Sequence, residues 1–323
     1  MCKKFLFDAL TFQTVIVLPI YWFTKLFLIL QEMNEIYQYI YNALRGHYEA
    51  GEARALAFAL LEDGFGVERT AVYADKVSNF GAAEHMRLDD ILSRMKNGEP
   101  LQYAIGKARF RGEFYKVNPA VLIPRPETEE LVEMCTAWSK GFFEEKGRGV
   151  APRILDAGTG SGCIAISVAK ELDNAAYVEA WDISEAALDV AKDNAGLHGA
   201  QVVFKKRDIL SFKPDTYFDL IVSNPPYITD GERKDMEAHV LDYEPHTALF
   251  VPDHDPLLFY RALAKLAKEC LAPNGMIAVE TNRMFADDVR RLFEENGLEE
   301  TKTLTDCFGN KRFVVGRNKA INN

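Results

Sequence analysis

Residues 153–162 read RILDAGTGSG, and FDLIVSN at 218–224 runs straight into Pro225-Pro226-Tyr227. Each is a short apolar run of strand length, and each ends in residues that a strand interior excludes. In the first they are glycines at every second position; in the second, paired prolines. Working outward, Cys163–Glu171 predicts a helix, YVEAWDI (177–183) a second strand, Glu185–His198 a helix and QVVFKKRDI (201–209) a third strand. FDLIVSN is the fourth, followed by a helix over 256–271, a strand in GMIAVET (275–281) and a helix over 287–295. LEETKTL (298–304) and RFVVGR (312–317) close as an antiparallel pair around DCFGNK. Strands alternating with helices across short turns predict an α/β fold with a doubly wound, mostly parallel seven-stranded sheet and an antiparallel edge strand.

Upstream the text changes. From Asn34 to Asn97 apolar residues recur at three and four spacing. In GEARALAFALLEDGFG (51–66), Ala53, Leu56, Ala57, Leu60 and Leu61 share a face, and Gly64 and Gly66 end the run. Shorter helices are expected over 70–73 and 88–96, giving a helical domain of four or five helices. FRGEFYKVN (110–118) predicts a hairpin punctuated by Pro119, Pro124 and Pro126. Glu127–Ser139 follows as a helix and GFFEEKGRGVAP (141–152) as a linker. The expected domains are therefore an extension (1–32), a helical substrate-binding domain (33–100), a hairpin linker (101–126), an α/β domain (127–318) and a tail (319–323).

Composition bounds the function. With 323 residues, 48% hydrophobic and 27% charged, the chain has ordinary globular composition and length for about two domains. Lys plus Arg is 38 against 48 Asp plus Glu, a net charge of −10. Nucleic-acid binders usually carry a basic face, so no direct nucleic-acid contact is expected. The helical zone itself holds more acids than bases, which favours a protein substrate. Cys2, Cys135, Cys163, Cys270 and Cys307 are scattered with no C-x-x-C pair, so they read as small buried hydrophobes, and no metal is expected. Thr11–Leu30, TFQTVIVLPIYWFTKLFLIL, is long enough to span a bilayer, yet Pro19 and Lys25 interrupt it and no cleavage site follows. It reads as an upstream extension of a cytoplasmic, monomeric protein, with membrane association through 11–30 as the alternative.

Ligands of open sheets sit at the carboxyl ends of strands. Gly158-Thr159-Gly160-Ser161-Gly162 lets a backbone approach a ligand closely, although alone it is also what a tight turn looks like. Asp182, twenty residues beyond Gly162, ends the second strand and can accept both hydroxyls of a ribose. Asp208 ends the third, placed to meet an adenine amino group with Ile209 as an apolar wall. Each acid alone is more often a helix cap or a solvated charge; three strand ends in order point to a nucleoside.

Asn224-Pro225-Pro226-Tyr227 carries the sharper chemistry. A planar NH2 conjugated to a carbonyl or ring is a poor nucleophile because its lone pair is delocalised. The Asn224 side-chain oxygen and the Pro225 carbonyl can accept its two hydrogens, with both prolines holding the geometry stiff. Tyr227 can stack on the planar group and favour the cation developing on nitrogen. The plain alternative is a rigid loop after a strand.

These motifs, together with IPRPETEELVE (123–133), EPHTALF (244–250) and DCFGNKRFVVGR (306–317), resemble the release factor glutamine methyltransferases, or protein-(glutamine-N5) methyltransferases. That family is part of the class I S-adenosylmethionine-dependent methyltransferases. The resemblance covers about residues 33–318 and includes GEARALAFALLED, which is similar to the family's amino-terminal domain. It implies a Rossmann-like fold and methyl transfer from S-adenosylmethionine, leaving S-adenosylhomocysteine. The acceptor would be the glutamine amide of the Gly-Gly-Gln motif in class I peptide chain release factors. Carried over by position, Gly158–Gly162 would line the methionine and ribose side, Asp182 the ribose, and Asp208-Ile209 the adenine. Asn224, Pro225, Pro226 and Tyr227 would hold the substrate amide, Asn224 also bordering the cofactor. Arg125 and Glu127–Glu129 would shape the pocket mouth.

Two departures stand out: the extension has no family counterpart, and Glu280-Thr281-Asn282 lacks the glycine expected after the acid. The latter is expected to alter the cofactor-side wall without touching the NPPY loop. The competing enzyme reading methylates adenine N6, cytosine N4 or guanine N2 in nucleic acid, and a non-catalytic cofactor-binding or membrane-tethered scaffold is the reading from another class.

Overall fold

Between Glu35 and Ile105 the three- and four-residue apolar spacing folds as helices α1 (Glu35–Leu44), α2 (Ala50–Ala59), α3 (Arg69–Tyr73), α4 (Ala82–Lys96) and α5 (Leu101–Ile105). The computed structural model describes residues 35–74, 80–147, 149–211 and 216–319; the stretch 11–30 lies outside them. Among the described residues no helix is long and apolar enough to cross a membrane. α2 widens into a π turn over Leu60–Gly64, and Ala53, Ala57, Leu60 and Leu61 from its expected face are buried with Ile40, Leu44, Leu88 and Ile91. α4 starts earlier than expected, because Glu84 reaches back to accept the Gly81 N–H at 2.6 Å and caps the helix there.

The chain divides at Ile105/Gly106 into two units, and the second holds the sheet. It opens with the expected hairpin, β1 (Lys107–Phe110) against β2 (Glu113–Lys116). α6 then runs Glu127–Lys146, well past Ser139. The stretch expected as a linker continues the helix because Trp138 and Phe143 pack on the core, and only Gly147, at φ 81°, stops it.

β3 (Arg153–Ala157), α7 (Cys163–Glu171), β4 (Tyr177–Asp182), α8 (Glu185–His198), β5 (Val202–Lys206) and β6 (Phe218–Ser223) follow in alternation. A small two-stranded sheet pairs β7 (Ile228–Thr229) with β8 (Phe250–Val251) around α9 (Ala238–Tyr243) and α10 (His246–Leu249). α11 (Leu258–Cys270), β9 (Leu271–Glu280), α12 (Ala286–Glu295), β10 (Glu299–Thr305) and β11 (Lys311–Arg317) complete the unit. The main sheet has the order β10-β11-β9-β6-β3-β4-β5, parallel from β9 to β5 and antiparallel on both sides of β11.

Successive strand residues point to opposite faces, and both faces are covered. Ile154, Leu220, Val222, Ala278 and Phe313 join α6 and α7 in one core; Leu155, Ile221, Ile277, Val279 and Val314 join α11 and α12 in the other. From β3 the chain winds outward to β4 and β5, then returns to β6 on the other flank of β3. The carboxyl ends of β3 and β6 therefore part at a topological switch point.

Candidate active site

A cleft of about 350 Å³ opens at that switch point, within the range of small-ligand sites. Four strand ends and the IPRPET and EPHTALF segments contribute to its lining.

After β3, Gly158, Gly160 and Gly162 all adopt left-handed φ, at 82°, 53° and 82°. Gly158, Thr159, Gly160 and Ser161 line the cleft. Gly162 does not: a Cβ there would meet Ile166 Cδ1 at 2.8 Å and Ala191 Cβ at 3.1 Å, so it is glycine to let α7 pack on α8. Behind the loop, buried Asp156 accepts the Thr159 hydroxyl at 2.6 Å and the Ala165 N–H at 3.2 Å on one oxygen. Burial pushes its carboxyl up to about 7.

Asp182 ties β4 to this loop, accepting the Gly160 N–H and the Ser184 N–H at 2.9 Å each. Each carboxylate oxygen keeps a second lone pair for a hydroxyl. Burial raises its pKa, and the backbone donors oppose that rise. Asp208 and Ile209 line the cleft beyond β5, with the Asp208 carboxylate accepting the Leu210 N–H and the Ser211 hydroxyl at 2.9 Å each. Ile183 and Leu210, also lining it, are 60% and 46% exposed, apolar surface suited to a planar base. The Ser161 hydroxyl is buried beside the Cys163 thiol in this lining. A glycine cradle, two acids and an apolar wall fit S-adenosylmethionine.

At the end of β6, Asn224 and Pro226 face the cleft, while Pro225 is buried beneath. The Asn224 Nδ2 donates to Thr128 Oγ1 at 3.1 Å, which leaves Oδ1 as the amide's free acceptor. Tyr227 is not among the lining residues. Its ring packs against the core shared with α11 and α12, and its hydroxyl donates to Glu280 Oε1 at 3.2 Å. Burial pushes the phenol well above its ordinary pKa, so Tyr227 stays a neutral donor that anchors the loop.

The Glu280 segment does not sit where sequence placed it. Glu280 is 1% exposed and meets Tyr227 and Thr128, and the Asn282 amide donates toward the Tyr227 carbonyl at 3.5 Å. It therefore backs the NPPY loop and is absent from the lining of the cofactor half, because β9 lies next to β6 in the sheet.

Arg125 and Thr128 line the cleft as expected of its mouth, but Glu129 turns away to accept the Arg111 N–H at 2.9 Å. Sequence reasoning missed Glu244: its buried carboxylate takes Arg125 at 2.6 Å and the Ile123 N–H at 3.2 Å, joining the EPHTALF and IPRPET segments. The shared appearance of these motifs in the resemblance was the available signal. Pro245, Thr247, Ala248 and Phe250 follow it into the lining. Cys135, Cys163 and Cys270 are buried as expected, whereas Cys307 is exposed in the turn before β11.

Residues 143–243 match the family described as Methyltransferase small domain, and residues 35–106 match PrmC N-terminal domain. The release factor glutamine methyltransferase of Bacteroides thetaiotaomicron is 43% identical over 285 residues, 88% of this chain and 99% of that one. The same-named protein of Flavobacterium psychrophilum is 37% identical, covering 84% and 94%. The solved protein-(glutamine-N5) methyltransferase (release factor-specific) of Alicyclobacillus acidocaldarius is 30% identical, with a TM-score of 0.37 over 64% of this chain and 99% of that one. On the sequence matches over nearly the full length of these relatives, the chain belongs to the release factor glutamine methyltransferase family.

Proposed function

We propose that this enzyme methylates the side-chain amide nitrogen of the glutamine in the Gly-Gly-Gln motif of class I peptide chain release factors, and so modulates translation termination. The observation that carries the reading is Asn224. Its amide nitrogen is engaged by Thr128, so its oxygen is free to accept an N–H in the same cleft that the glycine loop, Asp182 and Asp208 line.

S-adenosylmethionine supplies a methyl already activated by its sulfonium. The protein's work is then positioning and charge stabilisation. In this reading Gly158–Ser161 and Asp182 hold the methionine and ribose portions, and Asp208 with Ile209 holds the adenine. Asn224 Oδ1 and the Pro225 carbonyl accept the two amide hydrogens, which favours a pyramidal nitrogen with its lone pair free. Arg125, fixed by Glu244, borders the entry. The helical unit recognises the body of the release factor, in keeping with its acidic lean. The enzyme acts in the cytoplasm, where release factors work, as a monomer and without direct contact with nucleic acid.

Labelled S-adenosylmethionine with purified class I release factor tests this, with a Gln→Ala change in the Gly-Gly-Gln loop as control. The expected result is one methyl on that glutamine and none on the control. Label entering only nucleic acid would sink it.

A further inference from the structure

A one-way chain of hydrogen bonds runs behind the Asn224 amide. Glu280 Oε1 accepts the Tyr227 hydroxyl at 3.2 Å, and Oε2 accepts the Thr128 hydroxyl at 2.7 Å. Burial raises the Glu280 pKa and the Arg312 guanidinium opposes that rise; in its ionised form, with a donor on each oxygen, the carboxylate acts only as an acceptor. The single hydroxyl proton of Thr128 is thus committed to Glu280. Thr128 can only accept from its other side, and what it faces there is Asn224, 3.1 Å away. Accepting requires the NH2 end of the amide. The two ends of an amide side chain have nearly the same shape, so packing alone does not choose between them. The choice falls to this chain.

We propose that Thr128, polarised by Glu280, is a positioning residue that fixes the Asn224 amide with its oxygen toward the cleft. Thr128 is 2% exposed and Glu280 1%, so water does not compete for the bond between them. The backbone carbonyl of Glu280 is itself held by the Tyr260 hydroxyl at 3.1 Å. With the amide reversed, its NH2 would confront the NH2 of an incoming glutamine, and the site would repel the group it must bind. This inference rests on the role given to Asn224 above.

Five variants test it on purified release factor, with S-adenosylhomocysteine affinity and melting temperature measured alongside. Thr128→Val keeps the shape and removes the acceptor; kcat is expected to fall 10- to 100-fold, with cofactor affinity within about threefold. Thr128→Ser restores the hydroxyl and is expected to recover most of the rate. Glu280→Gln is expected to fall between wild type and Thr128→Val. In the Asn224→Ala background, adding Thr128→Val is expected to cost no further rate, because the residue it positions is gone. A wild-type kcat in Thr128→Val, failure of serine to rescue, or losses that multiply in the double variant would overturn the proposal. Should valine not fold, Thr128→Ala serves the same cycle. A fully active Asn224→Ala would instead overturn the reading of Asn224 itself, a distinct outcome.

Discussion

The Asp182 carboxylate accepts the backbone N–H of Gly160 at 2.9 Å, so the end of one strand clasps the loop that leaves its neighbour. Asp182 thereby does two things: it shapes the glycine loop and presents its remaining lone pairs to the cleft.

Asp182→Ala should therefore weaken S-adenosylhomocysteine binding by two orders of magnitude or more, losing charged acceptors and loop geometry together. Asp182→Asn, which retains one acceptor oxygen, should lose less. Calorimetric titration reads both; equal losses would mean that the loop clasp contributes nothing.

Asn224→Ala should cost about 10²–10³ in kcat, the scale of a transition-state hydrogen-bonding group, with cofactor affinity near normal. Single-turnover methylation separates the two. Lost cofactor binding with an intact chemical step would assign Asn224 to the wrong partner.

Gly160 and Gly162 should fail differently. A Cβ at Gly160 meets nothing within 4 Å, whereas one at Gly162 strikes Ile166 and Ala191. Gly162→Ala should cost about 2–4 kcal/mol, from overpacking plus left-handed strain, and show as a lower melting temperature. Gly160→Ala should cost about 1–2 kcal/mol by strain alone, and its clearer effect should be on cofactor affinity.

Buried Asp156, with its carboxyl pushed up to about 7, makes stability depend on pH. An acid whose folded pKa lies above its unfolded value of ~3.9 binds more protons folded than unfolded in between, so stability falls as pH rises across ~4–7. Asp182 and Glu280 are raised by burial too and act in the same sense. The ligand-free enzyme should melt at a higher temperature at pH 5.5 than at pH 8, and Asp156→Asn should flatten part of that slope. A melting temperature that climbs with pH would contradict it.

The α/β alternation was legible because strands covered on both faces are unbroken apolar runs. Ile154-Leu155 and Leu220-Ile221-Val222 announce themselves, and glycine or proline marks where each stops. The ligand-facing strand ends were legible for the same reason. What stayed hidden were contacts made across the sheet. Thr128 and Glu280 are 152 residues apart, and nothing local in PETEE or VETN says they touch. Tyr227 reads as a stacking residue until its hydroxyl is seen to serve Glu280. Gly162 looks like one more ligand glycine until Ala191, from the next helix, is found against it. The length of α6 was missed because Gly141 looks like a break, and only tertiary packing of Trp138 and Phe143 carries the helix through.

The placement of β11 has a consequence for synthesis. β10 pairs with β11 alone, and β11 lies between β10 and β9. A nascent chain that has not yet reached Lys311 therefore lacks two strands' worth of sheet. Its β10 has no strand to pair with, and the outer edge of β9 stands open, beside the Glu280 that backs the NPPY loop. Translation past Arg317 then completes the sheet beside a site whose NPPY loop was made ninety residues earlier. Premature termination anywhere before that point should yield an aggregation-prone fragment with an open edge, and no partly active enzyme.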